Sequence, residues 1–238
     1  MAKDDKKQLS DPAPAGKPVK SSRPDVEAFL ARVQHAANPG RRGRLIFALD
    51  ATMSRQPTWD AACRLQAEMF DEAGQTGGLD IQLLYYRGFG ECRASRWLGD
   101  GAALRDLMTG LQCRGGQTQI GKVLLHARRE TERQRVQAVV FVGDALEENV
   151  DGLAARAGEL GLLGLPVFIF QEGHDPAVEA GFREFARLSG GAYARFDRNA
   201  AGELRTLLRA VAAFASGGRK ALAAQPGAGA RILLQQLP

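Results

Sequence analysis

Asp50, Thr52 and Ser54 stand at alternate positions in "RLIFALDATMSRQ", directly after an apolar run, Leu45 to Leu49. Two more oxygen-bearing residues occupy comparable junctions: Thr118 follows a pair of glycines in "CRGGQTQIG", and Asp144 closes the apolar run "VVFVGD". All five offer oxygen, and none offers sulfur or imidazole. An oxygen-only set of this size suits a hard cation such as Mg²⁺, which favours near-octahedral oxygen coordination and keeps some of its water. The plainer alternative is capping. Asp, Ser and Thr after a strand commonly accept from the first free N–H groups of the next helix.

The five act together only if the elements that carry them converge. "RLIFALD" reads as a buried strand, and so do "LDIQLLYY" (79–86), "VQAVVFVGD" (136–144) and "LPVFIFQ" (165–171), with a shorter "AYARFD" at 192–197. "ECRASRWL" (91–98) is more polar and follows a tight "RGFG" turn, so it is expected as an antiparallel edge strand. Helical stripes lie between these runs: Thr58 to Ala73, Leu104 to Leu111, Ile120 to Ala127, Val150 to Ala157, and around 176–189 and 201–215. The alternation predicts an α/β fold, a doubly wound, mostly parallel six-stranded sheet with one antiparallel edge strand and helices on both faces. Such sheets bind ligands outside the carboxyl ends of the strands, where strand order reverses. If the first strand and "VVFVGD" are neighbours there, three loops deliver all five oxygens to one place.

Those residues resemble the metal-ion-dependent adhesion site of the von Willebrand factor A (VWA) domain. The likeness rests on D-x-[ST]-x-S after the first strand, a Thr in a Gly-Gly loop, and Gly-Asp ending a later strand, in that order over roughly residues 43–216. "DATMS" has Thr where the commonest form has Ser, and "GGQTQIGKVL" is similar to the family's Gly-Gly-Thr-x-Ile-Gly with one residue inserted. The resemblance implies that Thr52, Ser54 and Thr118 bind Mg²⁺ (or Mn²⁺) directly, with Asp50 and Asp144 acting through water. Neutral hydroxyls leave the cation most of its charge, and a carboxylate is the natural occupant of its open position. The resemblance therefore implies a metal-dependent protein-interaction module of bacterial intracellular type, not an enzyme. By family analogy its partner is a MoxR-type AAA+ ATPase or that ATPase's client. Two alternatives stay open: a Mg²⁺-dependent enzyme acting on phosphate esters with the same oxygens, and a VWA scaffold whose site holds nothing.

Composition is consistent with this frame. Of 238 residues, 45% are hydrophobic and 25% charged, ordinary for a soluble globular chain. The cysteines, Cys63, Cys92 and Cys113, form no C-x-x-C pair, which argues against a disulfide framework or a zinc knuckle. A net charge of +5 permits an acidic partner without requiring nucleic acid. The N-terminal stretch has no apolar segment long enough for a signal peptide or membrane helix, so a cytoplasmic protein with no membrane association is expected. Residues 1–22 read as a disordered tail, 23–40 as an amphipathic helix and linker, 41–216 as the domain, and 217–238 as a Gly/Ala/Pro-rich tail.

Other motif matches fail on chemistry. "GQTQIGKV" copies a phosphate loop, but Val123 stands where a hydroxyl must hold Mg²⁺ and the stretch follows a helix. "RGFG" begins like an RNA-recognition signature, yet Glu91 and Ala94 stand where stacking aromatics are required. An aspartyl-phosphate role for Asp50 wants a second acid two residues on, and Thr52 is there. His35, His126 and His174 sit in unrelated contexts. Glu147 and Glu148 either favour the N-terminus of the next helix or form an acidic rim.

Overall fold

The computed structural model of the chain describes residues 42–55, 78–197 and 201–238. The expected tail over 1–22, the helix at 25–37 and the helix over 58–73 lie outside the described residues. Those described belong to one unit, Arg42–Pro238.

Strand β1 (Gly43–Asp50) is buried along its whole length. It pairs parallel with β2 (Leu79–Arg87) on one side and with β4 (Ala138–Gly143) on the other. Outside these lie the antiparallel edge strand β3 (Glu91–Ala94), then β5 (Val167–Glu172) and β6 (Tyr193–Phe196), giving the order β3-β2-β1-β4-β5-β6. This is the six-stranded, mostly parallel sheet expected from the sequence. Successive strand side chains point to opposite faces, and both faces of β1 are covered. Leu45, Phe47 and Leu49 pack with α1 (Gly101–Thr109) through Leu104 and Met108, and with α5 (Ala201–Ala224) through Leu208 and Val211. Ile46 and Ala48 belong to the other face, with α2 (Ile120–Arg133), α3 (Val150–Leu162) and α4 (Pro176–Ser189). Two covered faces are why the run is continuously apolar; each Leu or Phe fully buried contributes about 1.5–3 kcal/mol.

The chain leaves β1 for β2 and β3 and then returns to β4 on the opposite flank of β1. Strand order therefore reverses between β1 and β4, which opens a crevice at their carboxyl ends.

Two elements differ from the sequence expectation. The edge strand stops at Ala94 rather than running to Leu98. The Ser95 N–H donates to Leu83 O at 2.8 Å, but its hydroxyl, rather than a backbone carbonyl, accepts from Leu83 N–H at 3.0 Å. This local competition with the ladder interrupts pairing, which resumes at a single bridge from Leu98 to Ile81. Residues 217–238 are also not a tail. α5 passes through non-helical Gly217 and Gly218 and continues to Ala224, and α6 (Ala228–Leu234) follows. Leu222, Ala230, Leu233 and Leu237 are buried in the core beside α5. A Cβ on Gly229 would lie 2.6 Å from Thr206 O, so glycine is what lets α6 seat on the α5 backbone. The Gln236 amide then accepts from Tyr193 N–H and donates to Tyr193 O, both at 2.9 Å, covering the outer edge of β6. Among the described residues no helix is long and apolar enough to cross a membrane.

Candidate functional site

Asp50 ends β1 and is fully buried. Its Oδ1 accepts from the Thr52 N–H at 2.8 Å, bending the chain off the strand. Its Oδ2 accepts from the Tyr86 hydroxyl at 2.9 Å. Tyr86 stands opposite Asp50 in the β1–β2 register and is itself fully buried. Burial pushes the Asp50 carboxyl above its ordinary value and the charge of Asp144 adds to this, while hydrogen bonds from Thr52 and Tyr86 pull the other way. Burial, followed by the charge of Asp50, raises the Tyr86 phenol well above its usual range, so Tyr86 stays a donor. Beyond Asp50, Thr52 Oγ1 and Ser54 Oγ lie 3.1 Å apart, at the start of a 3-10 turn over Met53–Arg55.

The loop from α1 to α2 supplies the second wall. The Arg114 N–H donates to Ala51 O at 3.0 Å, and the Gln117 N–H donates to Gly88 O at 3.3 Å in the β2–β3 turn. A Cβ on Gly116 would lie 2.1 Å from Gly88 O, so only glycine allows this approach. Gln117, the residue extra to the sequence pattern, is thus taken up by the hairpin, and Thr118 still reaches the crevice. Thr118 is buried and makes a reciprocal pair with Glu147. Its N–H donates to Glu147 Oε2 at 2.8 Å, and its hydroxyl accepts from the Glu147 N–H at 3.1 Å.

The loop after β4 supplies the third wall. Asp144 Oδ1 is buried and has no hydrogen-bond partner. Asp144 is no helix cap, since Asn149 caps α3 by accepting from the Gly152 N–H at 2.8 Å. Thr118 caps nothing either: the N-cap position of α2 is Gln119, which makes no side-chain cap bond. The free N–H groups of Ile120 and Gly121 go instead to the carboxylate of Glu148. Glu148 therefore serves the helix before it in sequence rather than the next one, as a carboxylate at the positive end of α2.

Thr52, Ser54, Thr118 and Asp144 line one cavity of about 310 Å³, together with Glu147 and the loop glycines Gly115 and Gly116. Asp50 is not in the lining; it reaches the cavity through Thr52. The wall is rich in acceptors. His126 lies elsewhere, its Nε2 2.8 Å from Gln82 Oε1, with burial holding its imidazole below the ordinary value, and His174 lies against Arg195. Among the described residues no three His, Cys, Asp or Glu side chains form a metal-holding group, so any cation bound here would depend on hydroxyls as well as carboxylates. Sequence reasoning did not find Tyr86, nor the true partners of Glu147 and Glu148. A signal for Tyr86 existed: a buried tyrosine needs a partner for its hydroxyl, and Tyr86 closes the apolar run "LDIQLLYY".

No protein-family model and no curated protein sequence matches the chain. Solved structures do. An aerotolerance-related membrane protein from Bacteroides fragilis NCTC 9343 is 17% identical, with 70% of this chain and 96% of that one aligned at a TM-score of 0.55. The SpRpn10 VWA domain is 14% identical over 70% of this chain and 95% of its own, at 0.57. The fold is that of a VWA domain. Proximal thread matrix protein 1 from the mussel byssus, solved with a zinc-occupied MIDAS motif, is 14% identical over 74% of this chain and 47% of its own, at 0.57. At such identities the likeness is one of fold. Within this VWA fold, the crevice between the carboxyl ends of β1 and β4 carries the cavity just described.

Proposed function

We propose that this chain is a protein-interaction module that holds a divalent cation, Mg²⁺ or Mn²⁺, in the crevice cavity and binds a partner's carboxylate there without turnover. The observation that carries this reading is Asp144 Oδ1, a buried carboxylate oxygen with no partner beside an open, oxygen-lined cavity. An orphaned buried acceptor costs about 1–3 kcal/mol, and more when charged. A hydrated cation is the complement that such an oxygen lacks. The donors fit a hard cation: three hydroxyls and the carboxylates of Asp144 and Glu147 at the wall, and the Asp50 carboxylate behind Thr52. The zinc in the MIDAS motif of the mussel protein adds support from the fold.

In this reading Thr52, Ser54 and Thr118 hold the cation directly, and Asp50 and Asp144 act through water. The cation supplies a positive charge with a position left for an external carboxylate. The chain's own part is to fix the oxygens. Tyr86 holds Asp50, Asp50 holds the Thr52 backbone, and Glu147 clamps Thr118 from both sides. Glu147, a carboxylate of the lining that could serve as a base, is instead engaged by the Thr118 N–H at 2.8 Å, which supports binding over catalysis. A MoxR-type AAA+ ATPase or its client in the cytoplasm is the first partner to try by pull-down in Mg²⁺ against chelator.

Thermal melting tests the site. At a hundredfold excess of metal over Kd, wild type should gain about 2.7 kcal/mol, and Asp50→Ala should lose that gain. A wild type indifferent to Mg²⁺ and Mn²⁺, or an Asp50→Ala variant that still responds fully, would overturn the assignment.

A further inference from the structure

The β2–β3 turn carries Phe89 with 86% of its surface exposed. One exposed phenylalanine needs no explanation on its own, but the surroundings of this one set it apart. The turn is fastened to the loop that forms the cavity wall. Gly88 O accepts from the Gln117 N–H at 3.3 Å and from Gln119 Nε2 at 3.2 Å, and Lys122 Nζ donates to Gly90 O at 3.0 Å. Gly116, itself in the cavity lining, packs on Gly88 with no room for a Cβ. The ring is thus presented from a tied backbone at the edge of the site. A second exposed apolar side chain, Met53 at 57%, lines the cavity itself.

The charge beside the hairpin is lopsided. Arg87, Arg93 and Arg114 share one carboxylate, Glu91, at 2.9, 3.2 and 3.9 Å. The Arg93 and Arg114 side chains are 71% and 62% exposed, so positive charge is in excess there. Arg114 immediately precedes the cavity glycines, whereas Glu147 makes the lining acidic. Aromatic residues, Met and Arg are the types enriched at protein interfaces.

Resting on the reading of the cavity as a cation site, we infer that Phe89, Met53, Arg93 and Arg114 form the docking surface for the segment whose carboxylate enters it. That segment is an acidic peptide with a large apolar residue next to the inserted carboxylate and further acidic residues beyond. The apolar residue covers Phe89 and Met53, and the additional acids meet Arg93 and Arg114. A single-stranded nucleic acid could also stack on Phe89 and pair with arginines, but successive bases need successive rings, and among the described residues of this surface Phe89 is joined by Met53 and not by a second exposed aromatic.

Fluorescence anisotropy on the full chain tests this with three labelled peptides: Gly-Leu-Asp-Glu-Glu-Gly, a form with Gly in place of Leu, and a form with Gln-Gln in place of Glu-Glu. Each is read in Mg²⁺ and in chelator, beside a labelled thymidine oligonucleotide. The Leu peptide should bind about tenfold tighter than the Gly form, the equivalent of about 1.4 kcal/mol. Phe89→Ser should erase that preference while keeping the wild-type melting response to Mg²⁺. The double variant Arg93→Glu with Arg114→Glu should erase the preference for Glu-Glu over Gln-Gln. A full Leu preference in Phe89→Ser overturns the inference, as does a wild type that responds to Mg²⁺ but binds none of the peptides. Loss of the Mg²⁺ response in Phe89→Ser makes the ring a structural support instead, and chelator-resistant oligonucleotide binding that Phe89→Ser abolishes gives the surface to nucleic acid. A wild type with no metal response at all removes the reading of the cavity, and this inference with it.

Discussion

Tyr86 keeps Asp50 Oδ2 from being a second orphaned carboxylate oxygen, since its hydroxyl reaches that oxygen at 2.9 Å in a fully buried pair. Replacing it by Phe keeps the ring and its stacking on Phe141 but leaves the oxygen without a donor. Tyr86→Phe is expected to lose about 1–3 kcal/mol of stability in chelator, read from the denaturant midpoint. Its metal response should weaken, because Asp50 then holds the Thr52 backbone less firmly. An unchanged midpoint would show that Asp50 does not need the phenol. At this scale the two acidic neighbours also divide their work. Glu147 fixes a hydroxyl of the site, whereas Glu148 satisfies the first turn of α2.

At the scale of elements, the site is three loops held against one another rather than one motif. The loop from α1 to α2 is bound to Ala51 on one side and to the β2–β3 turn on the other. Gly116 is where that second contact is tightest: both the position of a Cβ and what it would strike, Gly88 O, C and Cα at 2.1 to 2.4 Å, are backbone matters. Neither partner can yield by rotating a side chain, so Gly116→Ala must push the loop off the hairpin. The expected result is loss of the Mg²⁺-induced melting shift with only a small change of melting temperature in chelator, because the loop is surface structure of low local stability. A retained shift would mean that Thr118 is placed without the hairpin. The other end of the sheet is braced separately. Arg44 lies 3.7 Å over the Trp97 ring and pairs with Glu130 at 3.3 Å, and Glu130 also accepts from Trp97 Nε1 at 2.9 Å. That brace joins β1, α2 and the edge segment far from the cavity.

At the scale of the whole molecule, α6 is part of the core. Leu233 is fully buried and groups with Leu222, Ala230 and the α5 side chains. Leu233→Ala is expected to cost about 2–5 kcal/mol in denaturant unfolding, a loss no flexible tail could produce. A cost near zero would return residues 217–238 to the status of an appendage. The Mg²⁺ response per molecule that remains folded should be unaffected, since α6 packs on α5 and β6 and contributes no residue to the cavity lining.

The order of the described strands and helices and the buried character of β1 were legible in the sequence because their signals are local. Hydrophobic period reports which faces are covered, and a carboxylate closing an apolar run marks a strand's carboxyl end. The grouping of Asp50, Thr52, Ser54, Thr118 and Asp144 was expected only on condition that β1 and β4 are neighbours. The structure pairs those strands, puts four of the five in one cavity lining and leaves Asp50 behind Thr52. Tertiary structure alone decided who touches whom. Asp50 meets Tyr86 through the β1–β2 register, and Thr118 meets Glu147 across 29 residues of chain. The same holds for Ser95, whose hydroxyl ended the edge strand early because Leu83 lay within its reach. It holds too for the C-terminal Gly and Ala residues. In composition they read as loose chain, yet small residues are also what close helix contact requires, and only the presence of Thr206 opposite Gly229 selects between the two.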